Sequence, residues 1–172
     1  MNRVLWALLL LCFSAGLRAQ EEDVAENERP EFIISGNIGG DASLLSFGLE
    51  KLFFIRPNLL VSGKLGFGYN QEFQLFDPDP PRNYFILPHS AALNLRISKR
   101  SFFELGIGGS WVVQGIENYY LVYPLAGYRF HPFRKSKFSF KIWGFYPFGQ
   151  MDVLDATDML VSPLGVSFGI AL

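Results

Sequence analysis

Large apolar residues recur at every second position through most of the chain. That is the period of a β-strand, not of a helix. In the last nine residues, Leu164, Val166, Phe168, Ile170 and Leu172 share one face, and Gly165, Ser167, Gly169 and Ala171 share the other. Seven earlier segments repeat the pattern, at 32–39, 44–55, 59–69, 84–97, 102–113, 119–131 and 138–148. The third is the cleanest. Leu59, Val61, Leu65, Phe67 and Tyr69 fall on one side, and Ser62, Lys64, Gly66 and Gly68 on the other. In the sixth the parity is ambiguous, and Tyr128 and Phe130 are taken as outward with Arg129 inward. No amphipathic helix follows the first twenty residues.

Between the segments lie turn signals. Arg56-Pro57-Asn58, the stretch 98–101 and the stretch 132–137 are short and carry Arg and Lys. The loops at 70–83 and 149–161 are longer and acidic, with Glu72, Asp77, Asp79, Asp152, Asp155 and Asp158, and prolines at 78, 80 and 81 exclude a central strand. An even strand count, with basic short turns at one end and long loops at the other, predicts an all-β, eight-stranded antiparallel up-and-down transmembrane β-barrel. Aromatic residues gather at both strand ends, as two interfacial girdles require.

A soluble lipocalin-like barrel or a β-sandwich would alternate too. Such a protein must show water a face rich in Lys, Glu and Thr. Here the face opposite the large residues is mostly Gly, Ala and Ser, which suits the narrow interior of a small barrel better than a solvent surface.

The first residues support export. Arg3 precedes the apolar run 4–13, then small residues, then Leu17-Arg18-Ala19 before Gln20. This predicts a signal peptide at 1–19. The run is too short to span a bilayer as a helix. Residues 20–31 hold Glu21, Glu22, Asp23, Glu26, Glu28, Arg29 and Glu31 with no aromatic residue, and are expected to form a flexible acidic periplasmic leader. The barrel domain then spans 32–172. The single cysteine, Cys12, lies in the signal and follows Leu11, so neither lipidation nor a disulfide is expected. With 15 Lys and Arg against 16 Asp and Glu, no basic surface points to nucleic acid.

Six charged residues fall on the inferred inner face: Glu50, Lys64, Arg96, Glu104, Arg129 and Lys141. Hairpin symmetry sets Glu50 opposite Lys64, Arg96 opposite Glu104, and Arg129 opposite Lys141. The last pair is of like charge, and Glu104 on the next strand is placed to relieve it. Unpaired charge in a narrow interior is costly, so a paired polar plug is expected. The alternative is a narrow conduit with a positive bias.

Catalytic, cofactor and metal motifs are not found. Some eight-stranded outer-membrane barrels modify lipid A, and the deacylases among them use a His and a Ser one residue apart. His89 directly precedes Ser90, so the two point to opposite faces and cannot form a dyad. His131 lies at the turn end. The acidic loops lack calcium-loop spacing.

The chain resembles the small outer-membrane β-barrel proteins of the porin and OmpA/OmpX-like kind. The Ala19-Gln20 junction, Gly127-Tyr128-Arg129-Phe130 and Pro147-Phe148 are similar to barrels of Bacteroidota type. The resemblance implies residence in the cell outer membrane after export, among lipid and lipopolysaccharide. It implies a structural, adhesive or weakly pore-forming role, and no cofactor. An envelope protein partner reached through loops 70–83 and 149–161, or membership of an envelope complex, is a further expectation.

Overall fold

The computed structural model describes residues 32–72, 82–114, 117–131, 137–146 and 161–172. The segments read above as a signal peptide (1–19) and an acidic leader (20–31), and most of 70–83 and 149–161, lie outside them. Eight strands run in order: β1 (Phe32–Gly39), β2 (Leu45–Arg56), β3 (Leu59–Gln71), β4 (Asn83–Ser98), β5 (Ser101–Gln114), β6 (Glu117–Phe130), β7 (Phe138–Phe145) and β8 (Leu164–Ala171). Each pairs antiparallel with its neighbours, and β1 pairs with β8 to close the barrel. Closure leaves no edge strand to template aggregation or to sit unpaired in lipid.

At the loop end β3 and β6 outrun the expected boundaries by two residues each, whereas β7 stops at Phe145, short of the expected 148, with 147 and 148 outside the described residues. Gln71 pairs with Asn83, and Glu72 N–H donates to the Arg82 carbonyl at 3.0 Å. The polar residues there read as loop in sequence. In the barrel they have partners: Asn70 is buried and donates to the Ala42 carbonyl at 2.6 Å, and the Tyr69 hydroxyl meets Asn83 at 2.6 Å.

The outer wall follows the alternation. Phe47 is 72% exposed and Leu65 70%, and similar apolar residues project outward from all eight strands. A soluble monomer does not expose a continuous apolar belt of this kind, whereas hydrocarbon covers one without cost.

The interior departs from expectation. A face of mainly small residues was expected, yet three apolar clusters fill the lumen. One joins Ile33, Leu52, Leu60, Phe102 and Ala171 toward the turn end. A second joins Ala92, Tyr123, Leu125, Trp143 and Phe145. A third joins Ala42, Tyr84, Ile86, Val112 and Leu121 toward the loop end. The small residues are there to admit the large ones. Trp143 is flanked in register by Gly127 and Gly165, and a Cβ on Gly165 would sit 2.5 Å from the Trp143 ring. Small barrels fill by setting large side chains beside small ones across strands.

Candidate functional site

The interior polar groups form two systems, one from strands and one from a turn. The first is a chain of alternating charge. Glu50 on β2 pairs with Arg129 on β6, Arg129 pairs with Glu104 on β5 at 2.9 Å, and Glu104 pairs with Lys141 on β7. Arg129 and Lys141 stand directly opposite each other, and Glu104 bridges both. The β2 and β6 strands are not neighbours, so the Glu50–Arg129 pair crosses the lumen. Arg129 is 1% exposed and Glu104 0%. Its guanidinium donates from both Nε and an Nη to the same Glu104 oxygen, at 3.3 and 2.9 Å. Charge-assisted bonds of this kind are the strong ones in a dry interior.

The second system hangs from the β1–β2 connection. Residues 39–43 fold inward and are buried. Gly39, Gly40, Asp41 and Ala42 all have φ between 55° and 69°, a left-handed turn that costs Asp41 and Ala42 strain. Gly40 needs its missing side chain twice over, because a Cβ would also lie 2.8 Å from the Trp143 ring. The turn delivers Asp41 into the lumen. Its carboxylate meets Lys64 Nζ at 2.5 Å and accepts from the Tyr123 hydroxyl at 3.2 Å. Its carbonyl accepts from Ser110 Oγ at 2.8 Å. Trp143 separates the two systems, with Lys64 Nζ 4.9 Å and Lys141 Nζ 5.0 Å from its ring centroid. Each ammonium thus gains a cation–π contact besides its ion pair.

Set against the six residues read from sequence, the structure gathers Glu50, Glu104, Arg129 and Lys141 into one chain. Glu50 and Lys64 hold the expected register but do not pair with each other. Asp41 takes Lys64, and Arg129 takes Glu50. Arg96 does not face Glu104. The β4–β5 turn is tight and the register shifts between Arg96 and Ser98, so Asn94 stands opposite Glu104 and Arg96 opposite Phe102. The Arg96 guanidinium lies 5.6 Å from the Phe102 ring.

Asp41 is the residue that sequence reasoning missed. It carries an acidic charge inside a Gly-Gly-Asp-Ala-Ser turn, which reads as a solvated loop. Its inclusion changes the electrostatics. Among the described residues, the buried charges other than histidine are Asp41, Glu50 and Glu104 against Lys64, Arg129 and Lys141. They balance among themselves, and with the half-buried, inward Arg96 the inner face carries a net charge of +1 where the six residues read from sequence carry +2.

His131, one residue past β6, is 0% exposed. Its N–H donates to the Arg100 carbonyl at 2.8 Å. Burial, then the charge of Arg129, lower its pKa to about 4 against the opposing pull of Glu50, so the imidazole is neutral at physiological pH. His89 faces outward. Its Nε2 lies 2.7 Å from the Tyr120 hydroxyl and its Nδ1 3.3 Å from the Leu87 carbonyl. A carbonyl requires Nδ1–H as donor, so Nε2 accepts from Tyr120. Among the described residues no cluster of His, Cys, Asp and Glu has metal-site geometry.

No protein-family model matches the chain, and no curated protein matches it. Among solved structures it is similar to the crystal structure of Ail, the attachment invasion locus protein of Yersinia pestis. The identity is 15%, over 81% of this chain and 90% of that one, with a TM-score of 0.38. A likeness this distant carries no argument about function, and it lends no support to a Bacteroidota affiliation.

Proposed function

We propose that the chain is a non-enzymatic integral protein of the cell outer membrane whose barrel is plugged, with a structural, adhesive or envelope-interaction role. The observation that carries this reading is the filled lumen, whose fully buried charges are paired with one another. Tyr84, Tyr123 and Glu104 are 0% exposed and Arg129 1%, so these side chains are closed off from solvent by their neighbours in the lumen. An eight-stranded barrel has little space to begin with. Here a turn held by Lys64, Ser110 and Tyr123 occupies what remains at the loop end. The apolar outer wall supports membrane residence, and the basic turns beside the termini support a periplasmic orientation for that end. The work of the protein then falls to the surface it presents, through the loops 70–83 and 149–161 or as a subunit of an envelope complex.

A non-catalytic role is supported by the placement of His89 and Ser90. His89 faces outward, whereas Ser90 shares a register position with the inward Lys64. The expected result in planar bilayers is an absence of discrete conductance steps. Clear single-channel steps lost in Lys64→Met or Arg96→Met would sink the plugged reading in favour of a narrow porin-like channel. Mass spectrometry of lipid A from cells with and without the protein should show the same species. Altered acylation that depends on His89 would overturn the non-enzymatic reading.

A further inference from the structure

The lipid-facing wall has a notch. A cavity of about 540 Å³ opens on the outside of strands β2 to β6, and its rim includes Lys51, Leu65, His89 and Tyr120. Its floor is Gly63 and Ala91, paired in register. Gly63 is not required by the fold. Its φ is not positive, and a Cβ built on it meets nothing within 4 Å. A strand-interior glycine weakens its strand and marks a place where something else approaches closely.

The chemistry around the notch is as selective as its shape. Lys51 is directly opposite Gly63 and is the one lysine among the described outward-facing strand positions; the other cation there, Arg56, lies at the turn end of β2 opposite Leu59. Its ammonium lies 5.1 Å from the Phe32 ring and 5.2 Å from the Phe53 ring, at the turn-end aromatic level. Lysine stems run along apolar surface to bring the charge to an interface. At the far rim stands His89, bonded to Tyr120 and stacked among Tyr120 and Trp111 at ring separations of 5.6 and 4.9 Å. The wall therefore places its lone outward lysine and its lone outward histidine, among the described residues, around one depression. Ionisable groups in such a wall are costly and mark function by default.

We infer that this notch binds one phospholipid of the turn-end leaflet, with the phosphate on Lys51 Nζ and an acyl chain lying over Gly63 and Ala91 toward the His89–Tyr120 pair. The occupant follows from the surroundings. The notch opens into hydrocarbon, it is apolar along its floor, and the ammonium of Lys51 at its rim complements a phosphate, the other lysine of its lining, Lys64, being paired with Asp41 in the interior. The inference rests on the membrane reading above and deepens it.

The test is native mass spectrometry of the full barrel released from phosphatidylglycerol nanodiscs. Wild type should retain one phosphatidylglycerol. Lys51→Gln should lower retention about fivefold, the worth of one lysine near an anionic lipid surface. Gly63→Leu, which fills the notch, should lower it at least as far, and Ala91→Leu does the same from the other half of the floor should Gly63→Leu not fold. Heat-modifiable gel migration reports folding for each variant. Retention in folded Lys51→Gln and Ala91→Leu equal to wild type would overturn the inference. So would release of wild type with a second protein copy in place of the lipid. Failure of wild type to give a folded, heat-modifiable form in bilayers at all would overturn the membrane reading itself, a result distinct from the other two.

Discussion

The barrel interior contains two ionic systems that differ in how they are built. Glu50, Arg129, Glu104 and Lys141 sit on four strands, and each is aimed inward by strand parity. Their positions are locked by the same backbone hydrogen bonds that make the wall. The Asp41–Lys64 pair has one member on a strand and one on a left-handed turn. The first system cannot relax without breaking the barrel, and the second can relax by moving a turn. The same kind of contact should therefore carry different energetic weight at the two levels, because the cost of a buried unpaired charge depends on whether water can return to it.

The largest effect belongs at the centre of the strand-built chain. Arg129→Met removes the partner of two buried carboxylates and should cost about 3–5 kcal/mol in unfolding free energy, read from urea titrations in phospholipid vesicles. A cost no greater than that of removing Asp41 would erase the distinction between the two systems.

Acid should act next, and on the strand-built side. The folded pKa of His131 lies below its ordinary value of 6.5, at about 4. Between those values the unfolded chain binds the extra proton and the folded chain does not. Stability is therefore full above pH 6.5 and falls as the pH drops toward 4, by about 1.4 kcal/mol per unit and roughly 3 kcal/mol in all. His131→Gln should flatten that part of the profile. A wild-type curve parallel to the variant's over this range would show that His131 is not held neutral by its burial beside Arg129.

The turn-borne pair should give less. Asp41→Asn is expected to cost about 1–3 kcal/mol, because the turn can swing outward and readmit water to Lys64. A double-mutant cycle with Lys64→Met should return a coupling of about 0.5–3 kcal/mol. Zero coupling would mean that Asp41 is held by Ser110 and Tyr123 alone. The smallest change concerns strain. Ala42→Gly relieves a left-handed alanine but adds freedom to the unfolded chain and removes a buried methyl, so a net shift below about 1 kcal/mol is expected. A loss of several kcal/mol would show that the Ala42 methyl, packed against Tyr84, Ile86, Val112 and Leu121, matters more than the backbone.

The same contrast marks how far the chain could be read from its residues. Strand parity is local, so the outward set from Ile34 to Ile170 and the inward placing of Glu50, Lys64, Glu104, Arg129 and Lys141 were legible. The relief of Arg129 and Lys141 by Glu104 was legible as well, since it needs only neighbouring strands. The Arg96–Glu104 pairing failed because a register shift at a tight turn moved the partner by two residues without changing the face. The interior was misjudged for a related reason. Glycines 127 and 165 look like filler along the chain, and only the register shows Trp143 between them.

By itself, the sequence determined the strand count, the face of most strand side chains outside the ambiguous sixth segment, and an outer wall fit for hydrocarbon. Those follow from a period of two and from the composition of each face, which no distant contact alters. Only the tertiary structure decided that the β1–β2 turn folds inward, that Asp41 neutralises Lys64, that Glu50 is met by Arg129 across the lumen, and that Lys51 and His89 border one notch. Each of those joins residues far apart in the chain. Barrel closure and the direction of a turn bring them together, and neither is encoded at any single position.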